Sequence, residues 1–139
     1  MNLSRKAAVG TFGAAAVALL ATGMGTAHAQ DLYGSMALVI DGDSILVGTG
    51  WNFPDQGGAD NRAMQECGHP ECTVQVRWSN GCAAIADRDG HMYWALGNSL
   101  AEAERNAIAA TGPDPNPLLV SLGSADPSSA VILDSQCTD

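Results

Sequence analysis

Gly34-Ser35-Met36-Ala37-Leu38-Val39 and Gly81-Cys82-Ala83-Ala84-Ile85-Ala86 match one another at an offset of 47 residues, and the likeness continues on both sides of the match. Each apolar run ends in an Asp/Gly turn, Asp41-Gly42-Asp43 in one copy and Asp87-Arg88-Asp89-Gly90 in the other. A second apolar run then follows, Ile45-Leu46-Val47 or Met92-Tyr93-Trp94-Ala95-Leu96. Apolar runs on either side of such a turn read as a hairpin, so the chain carries two. A helical stretch follows each, about Gln56–Glu66 and Leu100–Ala110, now at an offset of 44 because Trp51-Asn52-Phe53 adds three residues to the first copy. The organisation is two ββαβ-like units.

The second helix has the stronger local signals. Ser99-Leu100-Ala101-Glu102 is a capping box, in which hydroxyl and carboxylate satisfy amides of the first turn, and Gly112-Pro113 stops the helix. Leu100, Ala103, Ala107, Ile108 and Ala110 share a face opposite Glu102, Arg105 and Ala109, with Glu104 the one charge on the apolar side. In the first helix Gly57 and Gly58 each cost roughly 0.5–1 kcal/mol against Ala, so it depends on tertiary packing. From Cys72 to Trp78 the sequence alternates, with Cys72, Val74, Val76 and Trp78 on one face and Thr73, Gln75 and Arg77 on the other. One wet sheet face follows. The expected fold is a two-layer α+β domain, a mainly antiparallel sheet with both helices on its dry face. After Pro113 come an apolar run at Leu118–Leu122, a Gly/Ser/Asp/Pro loop at Gly123–Ser129, and Val131-Ile132-Leu133 leading to Cys137, a second run without counterpart in the first copy.

The N-terminus has the parts of a secretory signal in order: Arg5-Lys6, an apolar run from Ala7 to about Ala21, and Ala27-His28-Ala29 before Gln30. The run is shorter than the roughly 18–20 residues a bilayer-spanning helix needs. Residues 1–29 therefore read as a cleaved leader for the general secretory route and 30–139 as a single domain, with no stable membrane span after cleavage. The formal net charge of −9 becomes −11 once Arg5 and Lys6 are removed, leaving four arginines, no lysine and all fifteen carboxylates. Such a charge disfavours nucleic acid and anionic lipid and favours basic partners or divalent cations.

The four cysteines, Cys67, Cys72, Cys82 and Cys137, all follow the leader, and an even count in a short exported chain reads as a disulfide framework. Read as a two-residue hairpin turn, Asn80-Gly81 sets Ser79 opposite Cys82 and leaves Cys72 roughly 23 Å up its strand, beyond the reach of a disulfide. Cys67 lies at the same remote end. That reading leaves Cys67–Cys72 with Cys82–Cys137.

Tyr33-Gly34 with an apolar strand, the Cys67-x₄-Cys72 step into Val74-Gln75-Val76-Arg77-Trp78, the run Asn80–Ala86, and Ser99-Leu100-Ala101-Glu102-Ala103-Glu104 followed by Ala107 stand in a characteristic order. In these features the chain resembles the domain of unknown function DUF4189, found in small exported proteins, largely of actinobacteria. The resemblance covers Tyr33–Ala110 and Cys137. It implies a secreted disulfide-bonded domain and carries over no catalytic residues. The sequence departs from the family pattern at Thr111-Gly112-Pro113-Asp114-Pro115 and along Ser121–Ser135.

Candidate chemistry is sparse. The Asp41-Gly42-Asp43-Ser44 and Asp87-Arg88-Asp89-Gly90 loops offer oxygens suited to Ca²⁺, but a turn demands the same residues and the distal Glu of a calcium loop is missing. Cys67, His69 and Cys72 with Cys82 or His91 would suit zinc only as free thiolates, which export opposes. His69 and His91 are the two neutral-pH bases after the leader, and neither lies in a catalytic sequence context. Glu104 and Asp60 occupy equivalent places in the two helices, which points to a structural role such as a hydrogen bond to strand-end backbone. Of Trp51, Trp78 and Trp94, Trp78 reads as core. No metal or cofactor is expected. The reading is a non-enzymatic secreted domain of the envelope or extracellular space that binds a protein or envelope component, with Trp51, Asn52, Phe53, Thr73, Gln75 and Arg77 as surface contacts. The alternatives are a small secreted hydrolase centred on His91 beside Asp89, and an inhibitor of a secreted enzyme that uses the Cys67–Cys72 loop.

Overall fold

The computed structural model describes residues 30–139, so the expected leader lies outside the described residues. Two units of like build follow one another. The first comprises β1 (Tyr33–Asp41), β2 (Ser44–Phe53), α1 (Gln56–Cys67) and β3 (Thr73–Ser79), its strands ordered β2-β1-β3. The second comprises β4 (Cys82–Arg88), β5 (His91–Gly97), α2 (Leu100–Ala110), the short α3 (Pro117–Ser121) and β6 (Val131–Cys137), ordered β5-β4-β6. All pairings are antiparallel. The hairpins close where the Asp/Gly turns predict: Asp41 pairs with Ser44 around Gly42 (φ 59°), and Arg88 pairs with His91 across Asp89 (φ 55°) and Gly90 (φ 79°).

The α+β class and the antiparallel pairing are as the sequence predicts, and each unit is a helix laid on a sheet. The units do not join into one sheet, however. On the central strands β1 and β4 successive residues serve opposite faces. Met36 and Leu38 meet Ala83 and Ile85 in a shared interior between the sheets, with Val76 and Trp78. Ala37 and Val39 pack with Ala63 and Cys67 of α1, and Ala84 and Ala86 with Ala103 and Ala107 of α2. The helices therefore stand on opposite outer faces, and both faces of each central strand are buried, where the sequence suggested one wet face.

Three local expectations also change. The alternation from Cys72 to Trp78 is broken by a β-bulge: Met36 pairs with Val76 and Ala37 with Val74, so Gln75 is the extra residue. Cys72 and Val74 thus face α1 while Val76 and Trp78 face the interior. Asn80 takes the left-handed conformation (φ 50°) but joins strands of different sheets; it exchanges bonds with Leu32, its N–H donating to the Leu32 carbonyl and its Oδ1 accepting from the Leu32 N–H. Ser79 pairs with Tyr33, and Cys82 with Gly97 and Cys137, so the hairpin premise of the disulfide argument fails. The bonded pairs are nonetheless Cys67–Cys72, clipping the end of α1 to the start of β3, and Cys82–Cys137, which face each other on β4 and β6. Lastly, the third strand of the second unit is β6. Asn116 caps the Leu118 N–H and Pro117 opens the first turn, so the Leu118–Leu122 run is mostly helix.

Each helix approaches its hairpin more closely than a side chain permits. A Cβ on Gly48 would lie 2.1 Å from the Cys67 nitrogen and 2.2 Å from the Ala63 carbonyl oxygen; on Gly50, 2.4 Å from the Ala59 oxygen; on Gly97, 2.4 Å from the Ala103 nitrogen. The facing helix residues Ala59, Ala63, Ala103 and Ala107 are fully buried. Because the obstacles are helix backbone, Gly48→Ala should lower stability by about 1–3 kcal/mol, read as a fall in the urea midpoint at unchanged slope. Removal of Cys82–Cys137 by paired Ser substitution should cost about 4 kcal/mol, and of Cys67–Cys72 about 2, because the first closes a far longer loop in the unfolded chain.

Candidate functional site

Ser35 is fully buried on β1, opposite Arg77 on β3, and both look toward α1. Its hydroxyl donates to Asp60 Oδ1, and Gln56 Nε2 donates to Ser35 Oγ (2.6 Å), Asp60 Oδ1 (3.1 Å) and the Gly34 carbonyl (3.2 Å). Arg77 Nε donates to both Asp60 oxygens at 3.1 and 2.9 Å, and its terminal nitrogen completes the ion pair at 2.9 Å. Burial opposes ionisation of Asp60, but the bonds from Arg77, Ser35 and Gln56 and the guanidinium charge outweigh it, so its pKa lies below the ordinary carboxylate value. The same hydrogen bond, with the Asp60 charge, raises that of Arg77. In the second unit the equivalent helix carboxylate, Glu104, accepts from Ser135 Oγ at 2.6 Å. Both acids therefore bond side chains on strands, where the sequence suggested strand-end backbone.

Gln56 and Arg77 also form one wall of an open cleft of about 580 Å³, whose other residues are Trp78 to Cys82, Leu96 to Asn98, and Glu102. It lies between the ends of β3 and β5, edge strands of different sheets. By the repeat, the matching seam lies between β2 and β6, and it is closed. Thr49 Oγ donates to Asp134 across it; Asn52 Nδ2 donates to the Asp139 carboxylate at 3.2 Å and Asn52 Oδ1 accepts the Asp139 N–H at 3.0 Å. Thr138 and Gly81 exchange backbone and side-chain bonds that extend the β4–β6 pairing by one step. Asn52 belongs to the three residues that the first unit has and the second lacks, and its φ of 62° turns the chain toward the C-terminus. Without that insertion β5 ends at Gly97. The seam beside it stays open, with Trp94 and Leu96 about half exposed (45% and 50%).

Of the residues singled out from sequence, Arg77 lines this cleft, while Gln75 and Thr73 lie further along β3 and bond each other (Gln75 Nε2 to Thr73 Oγ1, 2.6 Å). Trp51 and Phe53 of β2 flank Arg62 of α1, and Asn52 is engaged by Asp139. His69 Nδ1 accepts the Glu71 N–H and Nε2 lies 3.9 Å from Asp41; His91 is exposed at the start of β5. With the four cysteines in disulfides no thiolate is left for zinc, and among the described residues no group of three His, Cys, Asp or Glu side chains converges on a metal position. Sequence reasoning missed Gln56, Asn80 and Asn98, for which only Asn80-Gly81 gave a signal, and that signal read as a turn. It also missed Arg88, buried at the end of β4, which donates to the Pro113 carbonyl (2.8 Å) and Asp114 (2.5 Å). Because the Asp60 pKa is depressed, its stabilising contribution is complete at neutral pH and disappears as pH falls from the ordinary carboxylate pKa through the lower folded value. Asp60→Asn should therefore be less stable than the parent at pH 6, with the gap in urea midpoint closing below about pH 4; a gap independent of pH would contradict the network.

Two relatives, Protein Mb1300c of Mycobacterium bovis and Protein Rv1269c of Mycobacterium tuberculosis, are each 30% identical to this chain over 86 residues, 62% of this chain and 66% of theirs. The match thus spans just under two thirds of the relatives' length. No solved structure matches. The model of the domain of unknown function DUF4189 matches residues 33–114, from the first residue of β1 to the carboxylate held by Arg88. With that match spanning both hairpins, both α1 and α2 and the Ser35–Asp60–Arg77 cluster, the chain belongs to the DUF4189 family.

Proposed function

We propose that this chain is exported, loses residues 1–29, and acts outside the cytoplasm as a non-enzymatic domain that binds a protein or envelope component through the seam between β3 and β5. The observation that carries the reading is the unequal closure of two seams that the repeat makes equivalent. One is sealed by Thr49–Asp134 and Asn52–Asp139; the other leaves about 580 Å³ of space lined by half-exposed Leu96, with half-exposed Trp94 two residues back along β5. Exposed aromatic and aliphatic side chains beside a polar cleft are what a binding surface presents. The disulfides suit an oxidising compartment, and no helix among the described residues is long and apolar enough to cross a membrane. Of the surface contacts expected from sequence, Arg77 belongs to this seam.

Secretion by a host of the same class should yield a 110-residue chain starting at Gln30, read by intact mass. Used as bait against envelope and medium fractions, this product should retain a partner that Leu96→Lys loses and Asn61→Lys, on the exposed side of α1, keeps. Equal retention by both variants would remove the seam from the reading, and recovery of the full-length chain in the cytosol would remove export.

A further inference from the structure

Resting on the seam reading, we propose that the occupant is an extended, lysine- or arginine-bearing polypeptide segment that adds to the free edge of β5 as a fourth strand of the second sheet. The edge is marked by Leu96, whose carbonyl accepts from Asn106 Nδ2 at 2.9 Å and so points away from β4. Residues two apart on a strand point their backbone groups the same way, so the N–H and C=O of Trp94 and Met92 also face outward; with the Leu96 carbonyl taken by α2, these and the Leu96 N–H are the groups open to an added strand. Sheet edges left for pairing within one protein are usually blunted by lysine, proline or an inward charge. His91-Met92-Tyr93-Trp94-Ala95-Leu96-Gly97 contains none of these. β2, equally uncharged over Ser44–Phe53, has β6 and the C-terminal residues on its side of the molecule; β5 has the cleft.

Side chains set the rest of the specificity. Trp94 and Leu96 lie on the strand face that looks to the interior, opposite Ile85 and Ala83, yet remain half exposed because β3 does not reach over them. Alternate apolar residues of an added strand would cover them, as strand addition requires. The charge of the occupant follows from the surroundings. Three of the four arginines in residues 30–139 are paired with carboxylates, Arg62 with Glu66, Arg77 with Asp60 and Arg88 with Asp114. Glu102 stands in the cleft, and the whole chain carries −9. A cationic segment is drawn to this edge, whereas a second copy of the chain is repelled by its own charge.

The probe is the capped octapeptide (Lys-Val)4, titrated into the ¹⁵N-labelled oxidised protein. The expected result is amide shifts at Met92, Trp94 and Leu96, binding that weakens as salt is raised, and at least tenfold weaker binding by both (Glu-Val)4 and a (Lys-Val)4 with alternate amides N-methylated. Trp94→Ala, half exposed and so tolerated by the fold, should weaken binding while leaving the urea midpoint nearly unchanged. Equal binding of the Glu peptide, insensitivity to N-methylation, no shift at millimolar peptide, or self-association through β5 in sedimentation would each overturn the proposal. Shifts confined to Arg77, Asn80 and Asn98 would overturn strand addition while leaving the seam reading intact, and retention of the captured partner by Leu96→Lys would remove the seam itself.

Discussion

Everything in this fold depends on how closely a helix backbone can lie on a hairpin. At Gly48, Gly50 and Gly97 the strand offers no side chain, and Ala59, Ala63, Ala103 and Ala107 offer one methyl each, so helix and strand meet nearly backbone to backbone. That contact buries little volume per residue, which is why so small a chain can line both outer faces and still fill a middle layer with Met36, Ile85 and Trp78. Gly34 belongs to the same economy of space: a Cβ there would fall 2.2 Å from the Trp78 ring, so the indole fits inside only because its neighbour on β1 has no side chain.

The two units use one scaffold but fasten it with different chemistry. At the position where β1 and β3 are bridged by Ser35, Arg77 and Asp60, β4 and β6 are bridged by the Cys82–Cys137 disulfide. The step from helix to last strand shows the reverse substitution. The first unit closes it with Cys67–Cys72, aided by His69 near Asp41; the second holds it with Arg88, which grips Pro113 and Asp114. Each unit thus has one covalent tie and one ionic tie, at exchanged positions. The Asp60–Arg77 pair constrains geometry but responds to pH, whereas a disulfide responds to reductant. Reductant therefore frees the helix-to-strand step in the first unit but the β4–β6 pairing in the second.

Much of this was legible in the sequence because it is periodic. The repeat, both hairpins, both long helices and the glycine-marked turns follow from local residue chemistry, which tertiary context had no reason to overrule. What failed was register. Cys72 to Trp78 alternates without a visible fault, and nothing in those seven residues announces that Gln75 will be squeezed out of the β1 ladder. The bulge reassigns half a strand to another layer, and with it the inference that one sheet face is wet. Asn80-Gly81 misled for a related reason: the left-handed residue is there, but a tight bend between two strands does not say whether they pair or part. The cleft was illegible for a third reason. It arises from three residues present in one unit and absent from the other, so it exists only as a difference between halves already folded.

The bonding of Thr138 and Asp139 fixes an order of events. The first unit is complete within residues 33–79, and its strands pair over short stretches of chain. The second needs Cys137, 55 residues further along the chain, to face Cys82, and Asp139 reaches back to Asn52 in the first. A chain emerging N-terminus first can therefore assemble its first unit early and close the β4–β5 hairpin, but must leave the other edge of β4 unpaired until Val131–Cys137 has followed. The first sheet is by then in place as the surface on which Ala83 and Ile85 settle. Assembly is thus a relay, in which the earlier copy of the repeat shelters the later one until its closing strand arrives.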